Sequence, residues 1–225
     1  MISNWEDAKK RSNYHFNKKI KDTDNVKHIG RFVGTWKDEV DNVINDTKKI
    51  NWSNRRLSTD RPNNDVEAEE NDLIKAGANP KMTIYRGLTD FSKCPTIQKM
   101  IDYFQFKSCK AKLHVQFTGD VLNMHIDKLY DLDEDPNNVI RIMVMLDDWE
   151  PGQFLIYGNQ IFDRWQSGDI HYFDWQNIPH ATANASMTPR PMLVITGVMS
   201  LETKDITKVQ LDRYLTWSNN YDKGF

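Results

Sequence analysis

Cysteine is scarce in this chain. Cys94 and Cys109 are the only two among 225 residues. Two thiols without a C-x-x-C spacing make neither a disulfide framework nor a thiolate zinc site, and they fit a reducing, cytoplasmic setting. Long apolar runs are missing as well. No stretch approaches the roughly 18 residues that a membrane-spanning helix needs. The opening MISNWEDAKKRSNYHF has no apolar core of a secretory signal, so neither a span nor a leader is expected. An excess of one charge sign is also lacking: 30 Lys and Arg stand against 32 Asp and Glu, for a net charge of −2. A nucleic-acid coat needs many uncompensated cations, so this balance disfavours one, although a nucleobase substrate stays open. No internal repeat or low-complexity segment appears, which excludes solenoids.

What the chain does have is aromatic mass. Hydrophobic residues make up only 39%, yet seven Trp, eight Tyr and ten Phe can each bury a large area, so a core is attainable. The length suits one domain over 1–225, divided into a helix-rich support region 1–110, a β-rich core 111–200 and a C-terminal extension 201–225. The basic run around Lys9, Lys10 and Arg11 and the acidic run from Asp65 to Asp72 read as solvated faces.

In the first region, Trp36, Val40, Val43 and Ile44 recur at helical spacing, with Thr35 as candidate N-cap. Glu67 to Lys75 predicts a short helix, Met82 to Tyr85 a short strand, and Pro95 to Phe106 an amphipathic helix with proline in its first turn. From Ala111 the texture changes to short strands: 112–117, 121–124, 139–146, 153–157, 160–165, 170–175, 178–184 and 192–199. Asp135-Pro136-Asn137-Asn138, Pro151-Gly152, Gly158-Asn159 and Ser167-Gly168-Asp169 separate several of them as turns. Eight short strands at regular spacing predict a jelly roll or barrel. Thr207 to Trp217 predicts a helix packed outside it.

The chemistry lies in His125-Ile126-Asp127, His180 and Arg190. Two imidazoles and one carboxylate are the ligand set of a facial triad for non-haem Fe(II). In an extended strand end, alternate side chains share a face, so His125 and Asp127 can reach one ion. Taken alone, the pair reads equally as a turn histidine and a capping aspartate. His180, after Pro179, belongs to a different strand, on which Thr182 and Asn184 share its face. Asn184 is a candidate co-substrate contact, a candidate support behind the residues that make such contacts, or a plain surface residue. Arg190 carries a guanidinium fork suited to a carboxylate. Arg141 interrupts the apolar run from Val139 to Leu146, and a buried guanidinium needs an anionic partner, either a ligand or a structural acid. Tyr157 and Gln116 lie on strands that should flank the pocket, where either is a candidate to hydrogen-bond the co-substrate. His114 and the Asp169-Ile170-His171 pair read as structural, and Trp149, Trp165 and Trp175 as core or rim.

The set MHIDKL followed by GDIHYFDWQNIPHATANASMTPRPMLVITG resembles the Fe(II)/2-oxoglutarate-dependent dioxygenase superfamily over residues 110 to 200. The resemblance implies a mainly β protein with flanking helices around a double-stranded β-helix (jelly-roll, cupin-like) core. It also implies Fe(II) on His125, Asp127 and His180, 2-oxoglutarate chelating the metal with its distal carboxylate on Arg190, and O2 as oxidant. Hydroxylation of a C–H bond, with release of succinate and CO2, is the implied outcome. The presence of Asp127 disfavours halogenation, since halogenating relatives typically replace this carboxylate. The substrate class stays open among amino acids, peptidyl residues and other small molecules. The acidic loop Lys128 to Asn138 reads as a solvated hairpin loop or as a lure for a basic substrate. Two other readings remain: a non-catalytic jelly-roll binding module, and a cupin-type metalloenzyme that does not use 2-oxoglutarate.

Overall fold

The structure, a computed structural model, describes residues 24–48, 87–88, 90–127 and 133–207, with the isolated positions 10, 12, 14 and 22. Ten strands are described: β1 (Val26–Arg31), β2 (Gly87–Leu88), β3 (Ser108–Gln116), β4 (Val121–His125), β5 (Val139–Met145), β6 (Gln153–Tyr157), β7 (Gln160–Phe162), β8 (Asp169–Phe173), β9 (His180–Asn184) and β10 (Arg190–Val198). They form a six-stranded sheet of order β1-β8-β5-β10-β3-β2 and a four-stranded sheet of order β4-β9-β6-β7. All pairings are antiparallel.

The pairing explains the shape. β6 pairs with β7, β5 with β8, β4 with β9 and β3 with β10. Strands β3 to β10 are thus one long hairpin, with Gly158-Asn159 at its tip, wound so that its arms alternate between the sheets. Winding also lays β10 beside β5 and β9 beside β6. This is a double-stranded β-helix of jelly-roll, cupin-like type, mainly β with flanking helices. The first 110 residues, expected as helix and loop, also lend β1 and β2 to the edges of the larger sheet.

The larger sheet is apolar on both faces, which is why β5 reads as a nearly continuous apolar run. Alternation sends Ile140, Ile142 and Val144 outward and Val139, Met143 and Met145 into the barrel. The outward cluster packs under two helices, α1 (Lys37–Lys48) and α2 (Pro95–Tyr103), through Trp36, Val40, Val43, Ile97, Met100 and Ile101. An N-cap carbonyl accepts the first helical bond. Val40 N donates to Trp36 O at 3.0 Å, so Trp36 and not Thr35 stands at the cap of α1. Cys94 offers no side-chain cap to α2. Glu39 of α1 supplies it instead, accepting from Thr96 N at 2.9 Å and Ile97 N at 3.1 Å. The indole of Trp36 donates to Leu146 O at 2.9 Å and ties this layer to the barrel.

Residues 201–207 are helical. The predicted helix Glu67 to Lys75, the predicted strand Met82 to Tyr85, loop residues 128–132 and the tail beyond 207 lie outside the described residues. Among the described residues, no helix is long and apolar enough to cross a membrane.

Gly168 stitches three strands together. Its N–H donates to Met145 O at 2.6 Å, and its carbonyl accepts from Phe32 N at 2.9 Å. Its φ is +88°, and a Cβ there would stand 2.2 Å from Phe32 O. Gly168→Ala is therefore expected to cost at least about 1–3 kcal/mol from backbone strain alone, read as a lowered midpoint in urea denaturation with unchanged slope.

Candidate metal centre

His125 ends β4 and His180 begins β9, and the two are cross-strand partners. The register shifts between Leu122 and His125: Leu122 faces Thr182, yet His125 faces His180. One extra residue on β4 is therefore absorbed as a bulge, which re-aims His125 into the barrel. Asp127 lies just past the strand end rather than within it, a correction to the simple alternation expected of H-x-D. Its carboxylate turns back over both rings. Oδ1 lies 3.8 Å from His125 Nε2, and Oδ2 lies 3.5 Å from His180 Nε2. One ligand atom from each of the three residues falls within 4.8 Å of the others, a spacing that could hold a metal ion.

The ring tautomers follow from the backbone. His125 Nδ1 lies 2.6 Å from Asn123 O and His180 Nδ1 3.4 Å from Ile178 O. A carbonyl only accepts, so each Nδ1 carries the hydrogen and each Nε2 presents a lone pair to the cluster. Burial lowers both imidazoles, that of His180 to about 3 with His125 beside it. Burial alone would raise the Asp127 carboxyl, but Arg141 and the two imidazoles hold it down at about 2. The trio is thus a deprotonated donor set near neutral pH, as metal binding requires.

Arg141 faces the barrel from β5. Its Nη1 pairs with Asp127 Oδ2, and its Nε donates to Thr196 Oγ1 at 3.0 Å. The acid that this guanidinium needs is therefore the central carboxylate of the cluster itself.

Arg190 begins β10 opposite Gln116 and is 3% exposed. Its Nη2 donates to Gln116 Oε1 and Thr182 Oγ1, both uncharged. Its Nε and Nη1 are buried without a hydrogen-bond partner among the described residues. Burial depresses this guanidinium to about 10, against the usual 12.5. A cation so placed is waiting for an anion.

Tyr157 is buried beside His180, with its hydroxyl 3.4 Å from His171 Nε2 and within the field of Arg190. Burial raises its phenol. Asn184 faces inward as expected, and its side chain bonds the β9–β10 turn. Its amide donates to Gln116 O at 2.9 Å and Thr188 O at 2.8 Å, and its Oδ1 accepts from Ser186 N and Oγ at 3.0 and 2.6 Å. Both amide hydrogens and both lone pairs are used. Asp169 pairs with Arg31 at 2.7 Å and stands apart from the triad. Trp165 and Trp175 are core. Sequence reasoning missed the Tyr157–His171 contact and the roles of Gln116 and Thr182 as neutral partners of Arg190, because both depend on strand register.

His171 is fully buried, with Nδ1 unpartnered, and burial holds its imidazole well below 6.5. Such a histidine protonates more readily in the unfolded chain. Its contribution to stability is therefore complete above pH 6.5 and lost as pH falls towards its folded value. Each histidine of this kind adds a slope of about 1.4 kcal/mol per pH unit. Unfolding free energies between pH 7 and 5 are expected to fall by more than one such slope in the wild type. His171→Leu should lower the slope, by at most about 1.4 kcal/mol per unit; an unchanged slope contradicts the assignment.

No protein-family model matches the chain, and no curated protein does. Solved structures do resemble parts of it. A protein described as a sugar phosphate isomerase from Acidithiobacillus ferrooxidans is 13% identical with a TM-score of 0.36, over 54% of this chain and 63% of its own. A cupin protein from Bacteroides fragilis is 14% identical with a TM-score of 0.32, over 43% and 71%. A non-haem monooxygenase in a nickel complex is 19% identical with a TM-score of 0.34, over 40% and 43%. The fold assignment rests on the strand pairing above, and the site on its own geometry.

Proposed function

We propose that this protein is a non-haem Fe(II)/2-oxoglutarate-dependent oxygenase that hydroxylates a C–H bond of an amino acid, a peptidyl residue or another small substrate. The observation that carries the reading is the pair of unpartnered donors on the buried Arg190, in the same barrel as the converging His125, Asp127 and His180. A three-residue cluster alone suits many metalloproteins. A buried guanidinium left short of partners in the same barrel suits a small dicarboxylate that would reach from the metal to it.

In this reading His125, Asp127 and His180 hold one face of the ion and leave the other open. Arg190 fixes the distal carboxylate, with Tyr157 as a second donor and Gln116 and Thr182 orienting the guanidinium. Asn184 braces the turn from which Arg190 projects. Fe(II) with 2-oxoglutarate and O2 would supply the oxidising power, releasing succinate and CO2. The apolar lining from Met143, Met145, Met192 and Val194 keeps water from the reacting face.

Anaerobic addition of Fe(II) and then 2-oxoglutarate tests the proposal. A weak visible charge-transfer band is expected, followed by succinate release when air is admitted. Metal binding without the band favours a cupin-type centre that does not use 2-oxoglutarate. Absence of both metal binding and succinate overturns the oxygenase reading.

A further inference from the structure

His171 is a polar side chain in an aromatic, mostly apolar place. It is fully buried, and its ring centroid lies 4.8 Å from that of Phe162, 6.3 Å from Tyr157 and 6.2 Å from His28. Its Nε2 meets the Tyr157 hydroxyl at 3.4 Å, and its Nδ1 has no hydrogen-bond partner among the described residues. A buried polar atom left unpaired costs folding free energy, and a leucine or phenylalanine would fill the same place without that cost. Packing alone does not account for this histidine.

Only one hydrogen lies between His171 Nε2 and the Tyr157 oxygen. Burial keeps the imidazole neutral and the phenol protonated, so two arrangements exist. In the first, the Tyr157 hydroxyl donates to Nε2 and Nδ1 carries the ring hydrogen. In the second, Nε2–H donates to the Tyr157 oxygen, Nδ1 is bare, and the phenolic hydrogen turns elsewhere. An anion on Arg190 decides between them. Arg190 offers Nε and Nη1, and its charge acts on both Tyr157 and His171. With a carboxylate there, the second arrangement gives the phenolic hydrogen an acceptor and leaves only a lone pair unmatched. The first commits that hydrogen to His171 and leaves Nδ1–H as a buried donor with nothing to meet. Buried donors go unpaired more rarely than acceptors do.

Resting on the oxygenase reading, we infer that His171 is a positioning residue: its Nε2–H donates to Tyr157 and turns the phenolic hydrogen towards the carboxylate that Arg190 holds. His171 does not itself touch the ligand. A residue of β8 thereby sets a donor on β6 for an anion anchored on β10.

The test uses the full chain with isotope-labelled histidine, loaded with Zn(II), a diamagnetic ion that takes the same imidazole and carboxylate donors, and saturated with 2-oxoglutarate. Nitrogen NMR separates the bare and protonated nitrogens of a neutral imidazole. The resonances missing from His171→Gln identify this ring among the six histidines. The bound protein is expected to show His171 protonated at Nε2 and bare at Nδ1; a ring protonated at Nδ1 overturns the inference. Calorimetry on the same Zn(II) protein gives a second readout. Tyr157→Phe should weaken 2-oxoglutarate binding about tenfold, the usual worth of a hydrogen bond to a charged group. His171→Leu should weaken it at least about twofold and shrink the effect of Tyr157→Phe by the same factor. His171→Gln, whose amide still donates from near the Nε2 position, should restore most of the loss. Unchanged or tighter binding in His171→Leu, or full additivity with Tyr157→Phe, overturns the inference alone. If His171→Leu does not fold, the ring state decides. Failure of wild-type protein to bind Zn(II) or 2-oxoglutarate removes the oxygenase reading and this inference with it.

Discussion

Metal binding is expected to vanish in His180→Ala while the fold survives. His180 is one of three converging donors, and its Nε2 lies 3.5 Å from Asp127 Oδ2. Partners one layer removed from a metal are worth about 10–100-fold in affinity, so a direct ligand should cost more than about 100-fold. The substitution also leaves Asp127 with Arg141 as its main partner, which ties up the carboxylate further. Titration with Mn(II) or anaerobic Fe(II) reads the loss directly. Circular dichroism should remain that of the wild type, because β9 keeps its backbone bonds to β4 and β6. Retention of wild-type affinity in this variant would mean that the cluster is not the metal site.

Arg190→Met should move stability and binding in opposite directions. In the ligand-free protein Arg190 is a buried cation with two donors unpartnered and only Gln116 and Thr182 as acceptors. Replacing costly buried charge by an apolar side chain of similar length is commonly neutral or stabilising by about 1–4 kcal/mol. For a chain of this size each kcal/mol moves Tm by roughly 2–4 °C. The ligand-free variant is therefore expected to melt at the wild-type temperature or several degrees above it. Binding of 2-oxoglutarate should weaken by about 2–5 kcal/mol, roughly 30-fold to several thousandfold, since its distal carboxylate then has no guanidinium to meet. A thermal shift series with and without 2-oxoglutarate reads both effects. A destabilised variant that still responds to 2-oxoglutarate would show that Arg190 serves the fold and not the ligand.

The strands of the barrel were legible because burial on one or both faces imposes a pattern that turns then cut into pieces. β5 read as an apolar run, and Pro151-Gly152 and Gly158-Asn159 marked the turns on either side of β6. β1 was not legible. Lys27, His28 and Arg31 break its apolar pattern, and it gains its place as an edge strand through pairing with β8 rather than through its own composition. β7 proved shorter than expected, stopping at Phe162, because Trp165 turns into the core instead of continuing the ladder.

The site divided in the same way. Residue types and order were enough to single out His125, Asp127, His180 and Arg190. Register was not visible, and with it went the bulge in β4, the Arg141–Asp127 pair and the fate of Asn184. Each of those depends on which residue stands across from which, a long-range property that local pattern does not encode.

The wound hairpin has a kinetic consequence. His125 and Asp127 belong to its first arm and His180 to its second, so neither arm alone holds a complete donor set. Pairings between residues so distant in the chain close slowly, after local structure has formed. During synthesis the outgoing arm waits with a half-built ligand pair until the returning arm zips alongside it. On the proposed reading, capture of a metal would report that the last strands have docked, and a polypeptide halted before β9 would lack the third donor.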